Sequence, residues 1–211
     1  MNRTTSARAG IAAPLVAFLG IGGAALATPG FSPTANALSD LGVAGPLAAA
    51  LFGGGLVLAG LLSLAFVPAL WAAAGSRPHR LRTGLFALDA VALSMVGVFP
   101  EGTPQHVPAA VAFYRRSRPS ASGLDPEAVY LLSTLALWSD GAAEALAGRP
   151  REALLSAGLG TATVAAWVAW AATGPVFRPG LALPETVGAA ALGYWSFRRA
   201  RACLDRFGPS A

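Results

Sequence analysis

The segment VGVFPEGTPQH, Val96–His106, sets a carboxylate, Glu101, and an imidazole, His106, five positions apart at the end of an apolar run. Such a pair can share a proton, hold a cation or contribute to a divalent-metal site. Two further acids can join it. Asp40 lies in FSPTANALSDLG (31–42), and Glu185 in LALPETVG (181–188). Each also has an ordinary structural duty. Asp40 can serve as an N-cap or turn residue, and Glu101 as a solvated turn acid. His106 can be an exposed loop residue or open an interfacial helix over 106–114. Glu185 can be a first-turn acid favoured by the positive helix end.

The rest of the chemical inventory is short. His79 and His106 are the only histidines and Cys203 the only cysteine, which excludes a His/Cys zinc centre, an intrachain disulfide and a cysteine cluster. Haem between two histidines is excluded by their placement at opposite membrane faces, derived below. Ser39 with His106 has the atoms for a hydrolase, but no nucleophile-elbow or Ser-x-x-Lys pattern accompanies them. The GGG at 53–55 lies inside an apolar run, where small residues permit close helix contact rather than phosphate binding. No cofactor and no resident metal is expected.

The elements that must position these residues are transmembrane helices. Of 211 residues 55% are hydrophobic and only 12% charged, and the mean hydropathy is +0.57. Apolar runs repeatedly approach the ~20 residues of one bilayer crossing. In hydrocarbon each backbone amide must be bonded within its own segment, so these runs are predicted to be helices. Six spans are expected, at about 11–28, 46–71, 82–99, 128–147, 153–173 and 181–198. The fold expected is an all-α, polytopic bundle forming one integral membrane domain over 1–211, multi-pass in the cell membrane. Pro68 should kink or end the second span. The fourth is interrupted by Ser133, Thr134, Ser139, Asp140 and Glu144, and the last two, one helical turn apart, read as a polar face at the interface. Asp89, seven positions after Arg82, falls within hydrocarbon and must face the bundle interior, protonated or bonded to a hydroxyl.

Arginine sets the orientation, since cationic loops stay cytoplasmic. The 15 cationic residues are all arginine. With both termini cytoplasmic, 11 lie inside and four outside, namely Arg115, Arg116, Arg118 and Arg178. The Ala/Gly/Pro/Arg bias matches a GC-rich coding sequence, so a pI near 10.6 is no sign of nucleic-acid binding. The partners expected are membrane lipids, with anionic head groups near Arg198, Arg199 and Arg201. Arg3, Arg8, an apolar run and ALA at 25–27 also imitate a cleavable signal peptide, which would leave five spans. In the six-span topology Asp40, Glu101, His106 and Glu185 all reach the outer face, and they are the candidate lining of an outer polar pocket.

NALSDLG, VGVFPEG followed by His106, and LPE followed by Trp195 resemble the six-helix membrane proteins of domain-of-unknown-function family 998. The resemblance covers residues 10 to 198. It implies a six-helix bundle and an archaeal or bacterial source, and it implies no activity. The architecture is more loosely similar to DRAM-like membrane proteins, which also place short acidic motifs in their first outer loop. One departure from the family pattern is the insertion RRSRPSASGLDPEA, 115–128. Two functions are therefore carried forward. The first is a non-enzymatic transporter or small-ligand/lipid-binding bundle; the alternative is an intramembrane metal-assisted hydrolase acting on lipid.

Overall fold

A computed structural model of the chain describes residues 1–104, 106, 128–173 and 180–208. Among them are six long helices and no strand: α1 (Arg3–Leu26), α2 (Pro46–Ala73), α3 (Arg77–Val98), α4 (Ala128–Leu146), α5 (Pro150–Ala172) and α6 (Ala182–Phe207). A 3-10 turn, Ser39–Gly42, lies between α1 and α2. Each helix packs on its neighbour in sequence, and α6 closes the ring against α1 while also touching α2 and α4. α1, α2, α3 and α5 are long and apolar enough to cross a membrane. Large apolar side chains such as Leu15, Leu19, Leu58, Leu61, Leu88 and Val168 face outward. That surface suits hydrocarbon better than water.

The helix ends follow local chemistry. Asn2 caps α1, its side chain accepting from the Thr5 amide at 2.7 Å. Pro46 and Pro150 open α2 and α5, where a missing amide proton costs nothing. Gly148, at φ +71°, turns the chain between α4 and α5.

Three helices reach further toward the arginine-rich end than apolarity alone suggests. α1 starts at Arg3, α3 at Arg77, and α6 runs on to Phe207. The reason is that these polar turns pack on one another. The Thr4 hydroxyl donates to the Phe207 carbonyl at 3.0 Å, Arg3 lies over the Phe207 ring, and Ala200 and Cys203 bury the inner side of α6. The arginines at 115, 116, 118 and 178, and the insertion up to residue 127, lie outside the described residues.

Proline interrupts two helices without ending them. Pro68 removes one ladder bond from α2, and its ring pushes the preceding turn open. Ser6, from α1, fills the gap: its hydroxyl donates to the Ala65 carbonyl at 2.7 Å and accepts from the Ala69 amide at 3.0 Å. Pro14 leaves the Gly10 carbonyl of α1 without its usual amide, and the Ser196 hydroxyl of α6 donates to it at 3.0 Å. Both serines are buried. With no water to satisfy a freed backbone group, a neighbouring hydroxyl does so. α2 therefore continues through Pro68 to Ala73.

Close packing relies on glycine. A Cβ on Gly20 would lie 2.8 Å from the Leu51 carbonyl oxygen and 2.9 Å from the Gly55 Cα, so α1 and α2 touch backbone to backbone. Gly53 likewise meets Gly97 of α3. Two of the three glycines at 53–55 thus serve different helix contacts.

Two apolar cores result. At the arginine-rich end Phe66, Leu70, Phe86, Leu137 and Trp195 pack together, with Phe86 and Trp195 ring centroids 5.3 Å apart. At the opposite end Leu38, Leu41, Phe52, Leu56 and Ala182 form the second.

Candidate functional site

The loop after α1 meets the start of α6. The Gly180 amide donates to the Thr34 carbonyl at 2.8 Å, and the Ala182 amide to the Asn36 carbonyl at 3.0 Å. This backbone pairing brings residues 36–40 over Glu185, which is buried and accepts from the Leu38 amide at 2.6 Å. Asp40 turns back into its own loop, accepting from the Asn36 side chain at 3.1 Å and the Ala37 amide at 2.9 Å. The loop is thereby folded onto α6 by two carboxylates, one local and one distant.

Glu101 is exposed in the turn after α3. There the Thr103 hydroxyl donates to the Pro100 carbonyl at 2.8 Å, and the His106 amide to the Thr103 carbonyl at 3.1 Å. His106 is half-buried, with Nδ1 2.7 Å from the Phe99 carbonyl oxygen. A carbonyl can only accept, so Nδ1 carries the proton, and in the neutral ring Nε2 is the acceptor.

Between the two cores lies a cavity of about 140 Å3. Ser39, His106 and Glu185 are on its wall at the end away from the arginine-rich cluster, and Tyr130, Ser133 and Asp89 are on it deeper in. Phe52, Leu56, Phe86 and Leu93 supply much of the apolar remainder. The structure thus brings His106 and Glu185 to one cavity, while Asp40 and Glu101 are not on its wall. Asp89 is only 2% exposed, and its Oδ1 accepts from the Ser133 hydroxyl at 2.7 Å. It lies nine residues, about 14 Å, from the C-terminal end of α3 at Val98.

A second polar cluster occupies the arginine-rich end, and there the reading of Asp140 and Glu144 as an interfacial face is corrected. Their exposures are 0% and 1%. Asp140 is bonded by Arg82 at 2.7 Å, by Arg199, by the Trp195 indole N–H at 2.8 Å and by the Ser156 hydroxyl at 2.7 Å. Glu144 pairs with Arg199 at 3.0 Å, with Arg149, and with His79 at 3.4 Å. Arg198 grips Glu152 through both carboxylate oxygens, at 2.7 and 2.9 Å. The spacing of Asp140 and Glu144 does place them on one helix face, but that face turns inward because arginines from α3 and α6 arrive at the same depth. The signal in the sequence was that coincidence of depth: Arg82 opens the third apolar run and Arg199 closes the sixth. Among the described residues, no group of three His, Cys, Asp or Glu side chains is arranged to hold a metal ion.

Residues 11–201 match the model of a family described as "Protein of unknown function (DUF998)", and the chain belongs to that family. No curated protein and no solved structure matches it.

Proposed function

We propose that this DUF998 member is a non-enzymatic, six-span protein of the cell membrane whose interior cavity binds a small ligand or a segment of lipid reached from the outer face. The observation that carries the reading is the cavity itself, mostly apolar, with polar groups spaced from its outer end to mid-membrane. At about 140 Å3 it approaches the ~150 Å3 engineered cavity that holds benzene, and it is far smaller than a drug-sized site. α4 and α6 count as spans on this reading because Asp140, Glu144 and Arg199 pair inside the bundle rather than face lipid. Anionic head groups belong near Arg198, Arg199 and Arg201, with the exposed Arg201 foremost since the other two already pair with Glu152 and Asp140.

The binding test is thermal unfolding of the purified protein with butanol or benzene. A ligand at 100 times its Kd adds about 2.7 kcal/mol of stability. Wild type should rise in Tm with probe concentration and Ala59→Leu, which fills the cavity, should not. Equal responses of the two proteins would refute the site. Orientation is tested by single cysteines in a Cys203→Ala background. Ser32→Cys should react with an impermeant thiol reagent on intact cells and Ser76→Cys should not; the reverse pattern would invert the topology.

A further inference from the structure

We propose that the cavity takes a small organic monocation, which sits against Asp89 in exchange for a proton. This rests on the cavity being a binding site and adds the chemical class of its ligand.

The half-satisfied state of Asp89 is the starting point. Its Oδ1 takes the Ser133 hydroxyl, and among the described residues Oδ2 has no hydrogen-bond partner, although the side chain is buried on the cavity wall. α1 and α2 bring no titratable group to that wall, and α4 brings Tyr130. The outer end brings His106 and Glu185, and no arginine is on the wall among the described residues. The nearest cation along α3, Arg82, is about 10 Å away by helical rise and is held by Asp140.

An ionised carboxylate so placed lacks a counter-charge, and a proton removes the difficulty by making it neutral. An organic cation removes it equally well. The aromatic side chains Phe52, Phe86 and Tyr130 on the same wall can offer cation–π attraction that water would otherwise have to match. An anion would meet two carboxylates, and a neutral ligand would gain no charge pairing at Asp89. The volume restricts the cation to roughly the size of benzene.

Proton and cation compete for one oxygen pair, so the exchange balances in charge. The carboxylic acid loses H+ to the outer solution, the carboxylate remains, and the cation occupies it. No bond other than O–H breaks. Cation affinity should therefore weaken as pH falls, approaching tenfold per pH unit where Asp89 is protonated.

Tetramethylammonium is the probe, because it carries no ionisable proton of its own. Added to the detergent-purified protein in weakly buffered solution near about pH 7, it should release protons saturably, reported by a pH indicator. Butanol should bind without release. Asp89→Asn keeps a carbonyl for Ser133; it should abolish release and weaken tetramethylammonium at least ~10-fold. Ala59→Leu retains Asp89 but fills the cavity, and it should lose both binding and release even if the Asn variant fails to fold. Butanol binding without tetramethylammonium binding would sink this inference and leave the cavity reading standing. Release that survives in either variant would sink it too, and binding of neither probe would sink both readings.

Discussion

Asp140 and Asp89 are the same residue type at nearly the same burial, 0% and 2% exposed, yet their surroundings differ in kind. Asp140 collects two guanidinium groups, an indole N–H and a hydroxyl from α3, α5 and α6. Asp89 has Ser133. A carboxylate with its acceptor sites filled is a clasp, and here it ties four helices at the arginine-rich end. A carboxylate with an open oxygen on a cavity wall is available to something else. Burial alone does not separate the two roles; partner count does.

The sharpest break between them should come from amide substitution. Asp140→Asn keeps the shape but strands Arg82 in a dry site and takes from Arg199 one of its two close carboxylates, and losing one partner of such a pair costs about 3–5 kcal/mol. Asp89→Asn should cost under about 1 kcal/mol, since an amide oxygen still accepts from Ser133. Thermal unfolding of both variants in the same detergent makes the comparison. Similar losses would mean that Asp89 is also a clasp. A double replacement of Arg82 and Asp140 by Met and Leu should cost less than Asp140→Asn alone, because Arg82 is no longer left unpaired and Arg199 keeps Glu144.

Smaller effects belong to the two prolines. Ser6→Ala strands the Ala65 carbonyl and Ala69 amide beside Pro68, and Ser196→Ala strands the Gly10 carbonyl below Pro14. Each should cost about 1–2 kcal/mol. Ser6→Ala should be the worse of the two, since it abandons a donor and an acceptor together. If neither variant moves the Tm, the helix ladders close over the prolines unaided.

The helices were legible because a bilayer-length apolar run has only one way to satisfy its backbone. Asp89 was legible as an interior acid for the same reason: a lone carboxyl at mid-span cannot face lipid. Pro68 was half legible, since the sequence shows the lost amide proton but not the serine, 62 positions earlier, that repairs the ladder. The clasp was legible only as a coincidence of depth between Arg82, Arg199 and Asp140. Hydropathy counts Arg82 and Arg199 as topology signals, and nothing local to Asp140 reveals that both bend inward to meet it. The same blindness affects the opposite end, where residues 34–36 pair with 180–182 through backbone groups that carry no side-chain signature.

Cys203 reports how dry the clasp end is. It is 3% exposed, beyond the apolar run of α6, and burial pushes its thiol above the ordinary range, partly offset by Arg82, Arg199 and Arg206. A thiol whose folded pKa is raised keeps its proton after the unfolded chain has lost it. In that window the folded state binds more protons, so stability is present in full below the unfolded pKa and falls as pH rises toward the folded one. The window opens near about pH 8.5, the usual thiol value. Wild type should therefore lose Tm between about pH 8.5 and 10 more steeply than Cys203→Ala. The difference in slope is the quantity to read, because every other titrating group affects both proteins alike. The effect should be the smallest of those above, since one partly offset thiol is being compared with the stranded guanidinium group of Arg82. Parallel slopes would mean that water reaches the C-terminal end of α6, and an Asp140 site open to water would no longer contrast with Asp89.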